Sequence, residues 1–380
     1  MIGGAERRVQ EVCARWRSDG HTVIVIEGPS GPSLSMDAQW EYQSISLPIW
    51  HGGTFHALRL TRRFWMEAVR IGKLYSGRVD VVVSATSCLS DVITSRTIAK
   101  DLKVPWALVV VIHAYGSSFL ATLDRTRLDA PPAIAFVRAL TGTLAMRLAR
   151  KASCVFCISE PIAQALREGI LQPDRVHVTG MGLDLPTINR VAPHSKHRNL
   201  LYMGRIEEGK GVGTAIRVLA RLVTLMPDVH LSLLGAGSWT SEANTLASRL
   251  GVDDRLEWIG YIPGTERFSI LKSADVMLFP SQSEGFGLAV TEAIACGLPI
   301  ALFQSVAQNF PDDIPLLFSA PDGDIDALSD AAIKAISVCR ANPDIKHKGS
   351  KHAERFDWEI VARKEVALLE SLIMGKGLSS

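Results

Sequence analysis

The chain has 380 residues, of which 47% are hydrophobic and 21% charged. That is longer than one ordinary core and has the composition of a folded protein, so two globular domains are expected and a disordered or fibrous chain is excluded. Lys and Arg number 41 against 39 Asp and Glu, a formal net charge of +2, which offers no footprint for nucleic acid. The charge is uneven, however: residues 1–190 hold 22 Lys+Arg against 16 Asp+Glu, and the remainder 19 against 23. This points the first half toward something anionic. Six cysteines (Cys13, Cys88, Cys154, Cys157, Cys296, Cys339) are scattered among apolar neighbours. Cys154 and Cys157 lie in a strand-like run, ASCVFCIS, where positions three apart point to opposite faces. Neither a metal site nor a redox pair is favoured there, and a reducing cytoplasm fits. No signal-peptide pattern and no run of 18 apolar residues is present, so a soluble or peripheral protein is expected.

In chain order, Gly3-Gly4 leads into AERRVQEVCARWRSDG, an amphipathic helix, and then a strand at His21–Ile26. The segment Phe55–Tyr75 is predicted helical, with Arg59, Arg62, Arg63, Arg70 and Lys73 interleaved with Phe64, Trp65 and Met66. That mixture suits a membrane-surface or lipid-acceptor face, or a helix with one core face and one solvated face. Strands are expected at Val79–Ser84, at Trp106–Ile112 (which runs into His113) and at Cys154–Ile158, with a helix over Ala133–Lys151. Val176–Thr179 precedes GMGLDL, and the polar stretch RVAPHSKHR, Arg190 to Arg198, reads as a linker. The second half alternates again, with strands predicted at Asn199–Met203, His230–Leu234, Leu256–Ile259, Val276–Phe279 and Pro299–Phe303. Strands alternating with helical patterns give a parallel, doubly wound sheet. A last helix opens at Phe356-Asp357-Trp358. The expected domains are therefore 1–190, 191–356 and a terminal helix, 357–380.

Three stretches of the second half carry chemistry. LYMGRIEEGKG, residues 201–211, nearly fits a phosphate-binding P-loop, with Gly204, Gly209 and Lys210 in place. The next residue should be a magnesium-binding Ser or Thr and is Gly211, which argues against a nucleotide triphosphatase. HLSLLGAGSW ends a strand in Gly235-x-Gly237, but Trp239 and Thr240 stand where the third glycine of a dinucleotide fingerprint would fall, so an NAD enzyme is disfavoured. Asp322-Gly-Asp324-Ile-Asp326 resembles a metal-binding Asp-x-Asp pair but precedes a helical pattern at Ile325–Val338, where Asp is a natural cap. The third stretch is FPSQSEGFGLAVTEAIACGLPI, Phe279 to Ile300. It reads as a strand end, a glycine loop and a helix over Leu288–Ala295, stopped by Gly297 and Pro299. Such a helix start presents backbone N–H groups to an anion, and Glu284 and Glu292 frame it.

The last stretch resembles the E-x7-E signature of retaining glycosyltransferases of the GT-B fold, family 4, and G-R-x-E-x-G-K-G resembles their phosphate loop. The resemblance implies two Rossmann-like doubly wound domains facing a cleft, with the terminal helix packed back on the first. It implies transfer of a sugar from a nucleoside-diphosphate sugar to a saccharide or lipid-linked acceptor hydroxyl, in cell-surface polysaccharide or glycolipid synthesis. No metal cofactor is implied. His113, Arg205, Lys210 and Glu284 would be catalytic. Gly3, Gly4, Gly235, Tyr261, Ile262, Gly285, Phe286, Gly287, Leu288 and Glu292 would bind the donor. A cytoplasmic protein follows, with peripheral membrane contact through the basic first domain. The sequence departs from the family twice. The first strand, which should precede Gly3-Gly4, is missing, so the start is expected upstream or the chain is a crippled fragment. After Phe303 the family has Gly-Gly and Pro-Glu where this chain reads QSVAQNFPDD. A GT-B epimerase or phosphorylase, or a non-catalytic glycosyltransferase-like subunit, are the other readings.

Overall fold

A computed structural model describes residues 4–27, 41–44, 54–111, 132–169, 171–281 and 284–375. The chain divides into two compact units, Met1–Gly182 with Trp358–Ser380, and Leu183–Asp357.

The first unit begins with α1 (Gly4–Ser18), β1 (Ile24–Glu27), β2 (Glu41–Ser44) and α2 (Thr54–Leu74). It continues with β3 (Val82–Ser84), α3 (Leu89–Leu102), β4 (Trp106–Val110), α4 (Pro132–Ala149), β5 (Cys154–Cys157), α5 (Glu160–Gly169) and β6 (Val176–Val178). Strands β3-β4-β5-β6 form one parallel sheet and β1-β2 a separate parallel pair. Every residue of WALVV in β4 and CVFC in β5 is buried, because a parallel sheet is covered on both faces and reads as a continuous apolar run. On the terminal helix, Trp358–Ile373, Leu369 joins the core cluster formed by Ala107, Val109, Cys154 and Phe156. Burial pushes the Cys154 and Cys157 thiols up to about 12, and both cysteines are free. Maleimide at pH 8 should therefore label exposed Cys88 in the native protein and reach Cys154 and Cys157 only after denaturation. Peptide mapping of native label on either would contradict this burial.

The second unit holds α6 (Leu185–Arg190), β7 (Arg198–Met203), α7 (Val212–Val223), β8 (Leu231–Leu234), α8 (Thr240–Leu250), β9 (Leu256–Gly260) and α9 (Glu266–Lys272). After these come β10 (Ala274–Phe279), α10 (Leu288–Ala295), β11 (Ile300–Phe303), α11 (Gln304–Ala307), β12 (Leu317–Ala320), α12 (Ile325–Ala341) and α13 (Asp344–Lys351). The six strands pair in parallel in the order β12-β11-β10-β7-β8-β9. Helix α7 illustrates the packing: Val212, Ala215, Ile216, Leu219 and Leu222 form a buried stripe at helical spacing, while Arg217 and Arg221 face water. The stretch read as a linker belongs to this unit. Arg198 starts β7, and Lys272 Nζ donates to the carbonyls of Ile188 and Val191, each at 2.7 Å. The chain enters and leaves the unit side by side, with Leu183 N donating to Phe356 O at 2.6 Å and Leu183 bridging Asp357 in parallel.

Candidate functional site

The strand order of the second unit dictates where a ligand can sit. From β7 the chain winds through β8 and β9 in one direction, and from β10 through β11 and β12 in the other. Adjacent strands β7 and β10 therefore flank the switch point, and loops at their carboxyl ends diverge to leave a crevice there. The phosphate-like loop after β7 and the E-x7-E loop after β10 are those two loops. They meet: Lys210 Nζ donates to Glu284 Oε1 at 2.8 Å, with both side chains mostly buried. Gly211 explains its own departure from the P-loop pattern. Its φ is +77°, and a Cβ there would lie 2.2 Å from the Pro280 carbonyl oxygen, so neither Ser nor Thr fits.

Both loops are tied from beneath. The Tyr202 hydroxyl, on β7, donates to Arg205 O at 2.9 Å and lies 3.2 Å from Lys210 O. Burial, then the negative charges of Glu284 and Glu207, raise its pKa, so the phenol stays a donor to this loop. Ser281 Oγ donates to Glu284 Oε1 at 2.9 Å, and Asn309 Nδ2 to the Glu284 carbonyl at 3.2 Å. Asn309 comes from the divergent QSVAQNFPDD stretch, which thereby buttresses the Glu284 loop. Beside it, Phe310 packs with Phe286 (ring centroids 5.7 Å apart) and Phe356 (6.1 Å). Gly287 caps α10 with φ +93° and no side-chain cap, leaving that helix start to be capped by something else.

Glu292 is the single charged residue of LAVTEAIA in α10, and that helix is buried from Val290 to Ala295. A carboxylate there requires a partner. Arg267 supplies it as a fork, Nε to Oε2 at 3.1 Å and Nη2 to Oε1 at 2.7 Å. Sequence reading missed Arg267, Ser281, Tyr202 and Asn309. The only available signal was the lone charge on an apolar helix, which demands a cation without saying which one.

Of the expected site residues, the fold brings Lys210 and Glu284 into contact. It places Gly285, Phe286, Gly287 and Leu288 in the loop and first residue leading to Glu292. Arg205 turns elsewhere, pairing with Glu207 at 2.7 Å with its side chain 58% exposed. Gly235 serves close approach, since a Cβ would fall 1.8 Å from the Gly204 carbonyl oxygen. Tyr261 is exposed and Ile262 half-buried in the loop after β9. Gly4 opens α1 in the first unit; Gly3 and His113 lie outside the described residues. The acidic triplet caps and pairs: Asp324 accepts from Ala327 N at 2.9 Å, Asp322 from Ser305 N at 3.0 Å, and Asp326 from Arg221 at 2.5 Å.

The two units and this constellation define a GT-B glycosyltransferase architecture. Residues 187–338 match the family of glycosyl transferases group 1, residues 3–182 match the glycosyl transferase 4-like domain, and the chain belongs to the group 1 family. It is 30% identical over 217 residues to the D-inositol 3-phosphate glycosyltransferase of Kribbella flavida, covering 52% of this chain and 51% of that protein. WcaL of Escherichia coli strain K12, named for colanic acid biosynthesis, is 26% identical over 243 residues, covering 60% of this chain and 58% of that one. The match thus spans a little over half the length of these relatives. Among solved structures, HepE of Anabaena, crystallised with UDP, superposes with a TM-score of 0.73 at 16% identity, covering 97% of this chain and 96% of that one. Sucrose-phosphate synthase of Thermosynechococcus elongatus gives 0.74 at 19% identity, covering 98% and 94%. These likenesses establish the fold. No described helix is long and apolar enough to cross a membrane.

Proposed function

We propose that the protein is a retaining glycosyltransferase that moves a hexosyl group from a nucleoside-diphosphate sugar to an acceptor hydroxyl in the synthesis of a cell-surface polysaccharide or glycolipid. The meeting of Lys210 and Glu284 at the switch point carries this reading. A cation and a carboxylate at one carboxyl-end crevice suit a substrate with phosphates at one end and hydroxyls at the other. Lys210 and the N–H groups at the start of α10 take the diphosphate, with Arg205 recruited from Glu207. Glu284 accepts from the sugar hydroxyls, and Glu292 from the ribose hydroxyls. His113 is the catalytic residue proposed for the first half of the chain. In the transfer step the bond from the anomeric carbon to the diphosphate oxygen breaks, and the acceptor oxygen bonds that carbon on the same face. The acceptor's proton passes to the leaving diphosphate. Since Lys210 and Arg205 supply positive charge where the leaving group gains a negative one, the reading needs no divalent metal. A cytoplasmic site of action fits the sugar-nucleotide donor, with any membrane contact peripheral.

A thermal-shift series with UDP, GDP and ADP tests the donor reading. A nucleotide at about 100 times its Kd should stabilise the second unit by about 2.7 kcal/mol, and Glu292→Ala should abolish the shift. If none of the three moves the wild type, the donor-site reading fails.

A further inference from the structure

Arg267 is held at three places. Its fork grips both oxygens of Glu292, its Nη1 donates to the Gly264 carbonyl, and its guanidinium lies 4.3 Å from the Phe268 ring centroid. Its side chain is 17% exposed and that of Glu292 is 10% exposed. The pair is therefore mostly, though not wholly, closed off from solvent. A guanidinium over an aromatic face with a bidentate carboxylate is a rigid assembly, because the planar fork fixes the carboxylate's rotation as well as its position. A carboxylate has about four acceptor directions, so the fork from Arg267 does not by itself close Glu292 to hydroxyl donors. The Gly264 bond extends the assembly to the loop after β9, where Gly260 and Gly264 adopt φ of +79° and +71° around exposed Tyr261. One side chain thus ties the carboxylate of α10 to the loop on the far side of β8.

We infer that Arg267 is a positioning residue for nucleotide recognition. It holds Glu292 in the one orientation that accepts the 2′- and 3′-hydroxyls of the donor's ribose and locks that carboxylate to the Gly260–Gly264 loop. Ribose recognition is then a property of the Arg267–Glu292 pair and not of Glu292 alone. The inference rests on the donor-site reading above. Simple charge compensation for a buried glutamate would also place an arginine here, but it would be indifferent to which part of the ligand is altered.

Calorimetric titration of wild type, Arg267→Leu and Arg267→Lys with UDP and with 2′,3′-dideoxy-UDP separates the two roles; if GDP or ADP is the nucleotide that binds, its own pair of ligands replaces these. Arg267→Leu should weaken UDP by about 10- to 30-fold, the worth of one hydrogen bond to a charged acceptor, and dideoxy-UDP by less than about twofold. Unchanged dideoxy-UDP binding also certifies that the variant is folded. Arg267→Lys keeps the charge beside Glu292 but cannot fork, so it should fall between the two for UDP and match wild type for the dideoxy ligand. Should Arg267→Leu fail to fold by circular dichroism, the lysine variant decides alone. Equal weakening of both ligands, or no weakening of UDP, overturns the inference and leaves the donor reading standing. Wild type that binds both ligands equally overturns it too, because the ribose is then unread. Wild type that binds no nucleoside diphosphate defeats the donor reading, and the inference falls with it.

Discussion

Lys210→Ala is expected to lower turnover by about 10²–10³-fold, measured as release of nucleoside diphosphate from the donor, with a smaller change in KM. The argument is electrostatic. In the proposed transfer, departure of the diphosphate places a further full charge on its oxygens, and a fixed cation beside them stabilises that charge more than the ground state. Lys210 is such a cation: its backbone is tied to β7 through the Tyr202 hydroxyl, and its Nζ is held by Glu284 in the free protein. The substitution also leaves Glu284 with Ser281 as its remaining side-chain partner among the described hydrogen bonds, so the losses from Lys210→Ala and Glu284→Gln should be non-additive in the double variant. Arg205→Ala is the informative contrast. A loss above about 10²-fold would mean that its guanidinium leaves Glu207 for the diphosphate in the loaded enzyme. A near-normal rate would leave Lys210 as the principal cation. Turnover of Lys210→Ala within a few-fold of wild type would remove leaving-group stabilisation from this loop.

The strands that build the crevice were legible because each is a short apolar run ended by glycine or proline. Helix α10 was legible to the residue, from Leu288 to Ala295, because Gly287 and Gly297 punctuate it. What stayed hidden has a common physical character. β12 reads LFSA, and at the sheet edge its Leu317 and Phe318 are only partly covered and its Ser319 is exposed, so it lacks the continuous apolar run. β2, EYQS, carries a polar pattern with no strand signal. The linker reading failed because RVAPHSKHR is polar without being free: His194 N donates to Ser269 O at 2.9 Å, and Arg198 Nη1 to Ser273 Oγ at 3.1 Å. In the site, the loops and carboxylates were readable as local patterns, whereas their partners lie far off in sequence. Glu292 finds Arg267 25 residues away, Glu284 finds Lys210 74 away, and the Glu284 carbonyl finds Asn309 25 away. Pattern reading locates the chemistry; only the fold assigns each charge its counter-charge.

The same rule governs the first unit, where Arg8→Met should cost about 3–5 kcal/mol, the usual penalty for leaving a buried charge without its partner. Arg8 on α1 is 3% exposed and Glu365 on the terminal helix 0%, and the two form a salt bridge through Arg8 Nη2 and Glu365 Oε1. Thr179 completes the cluster at the end of β6, its Oγ1 donating to Glu365 Oε1 at 2.7 Å and accepting from Arg8 Nη2 at 3.3 Å. One ion pair thus joins the first helix, the last helix and the sheet of this unit. Loss of the arginine leaves a carboxylate in the interior with, among the described residues, a single hydroxyl to satisfy it, and that desolvation is the source of the cost. For a unit of this size the penalty corresponds to a fall of about 6–20 °C in the melting transition. It should be read calorimetrically, since two units need not melt together. The double variant Arg8→Met/Glu365→Met removes both charges and should recover most of the loss, because a buried pair contributes little beyond what apolar packing supplies. Arg8→Met that melts with wild type would show that water reaches Glu365. A double variant as unstable as the single one would locate the cost in shape and not in charge.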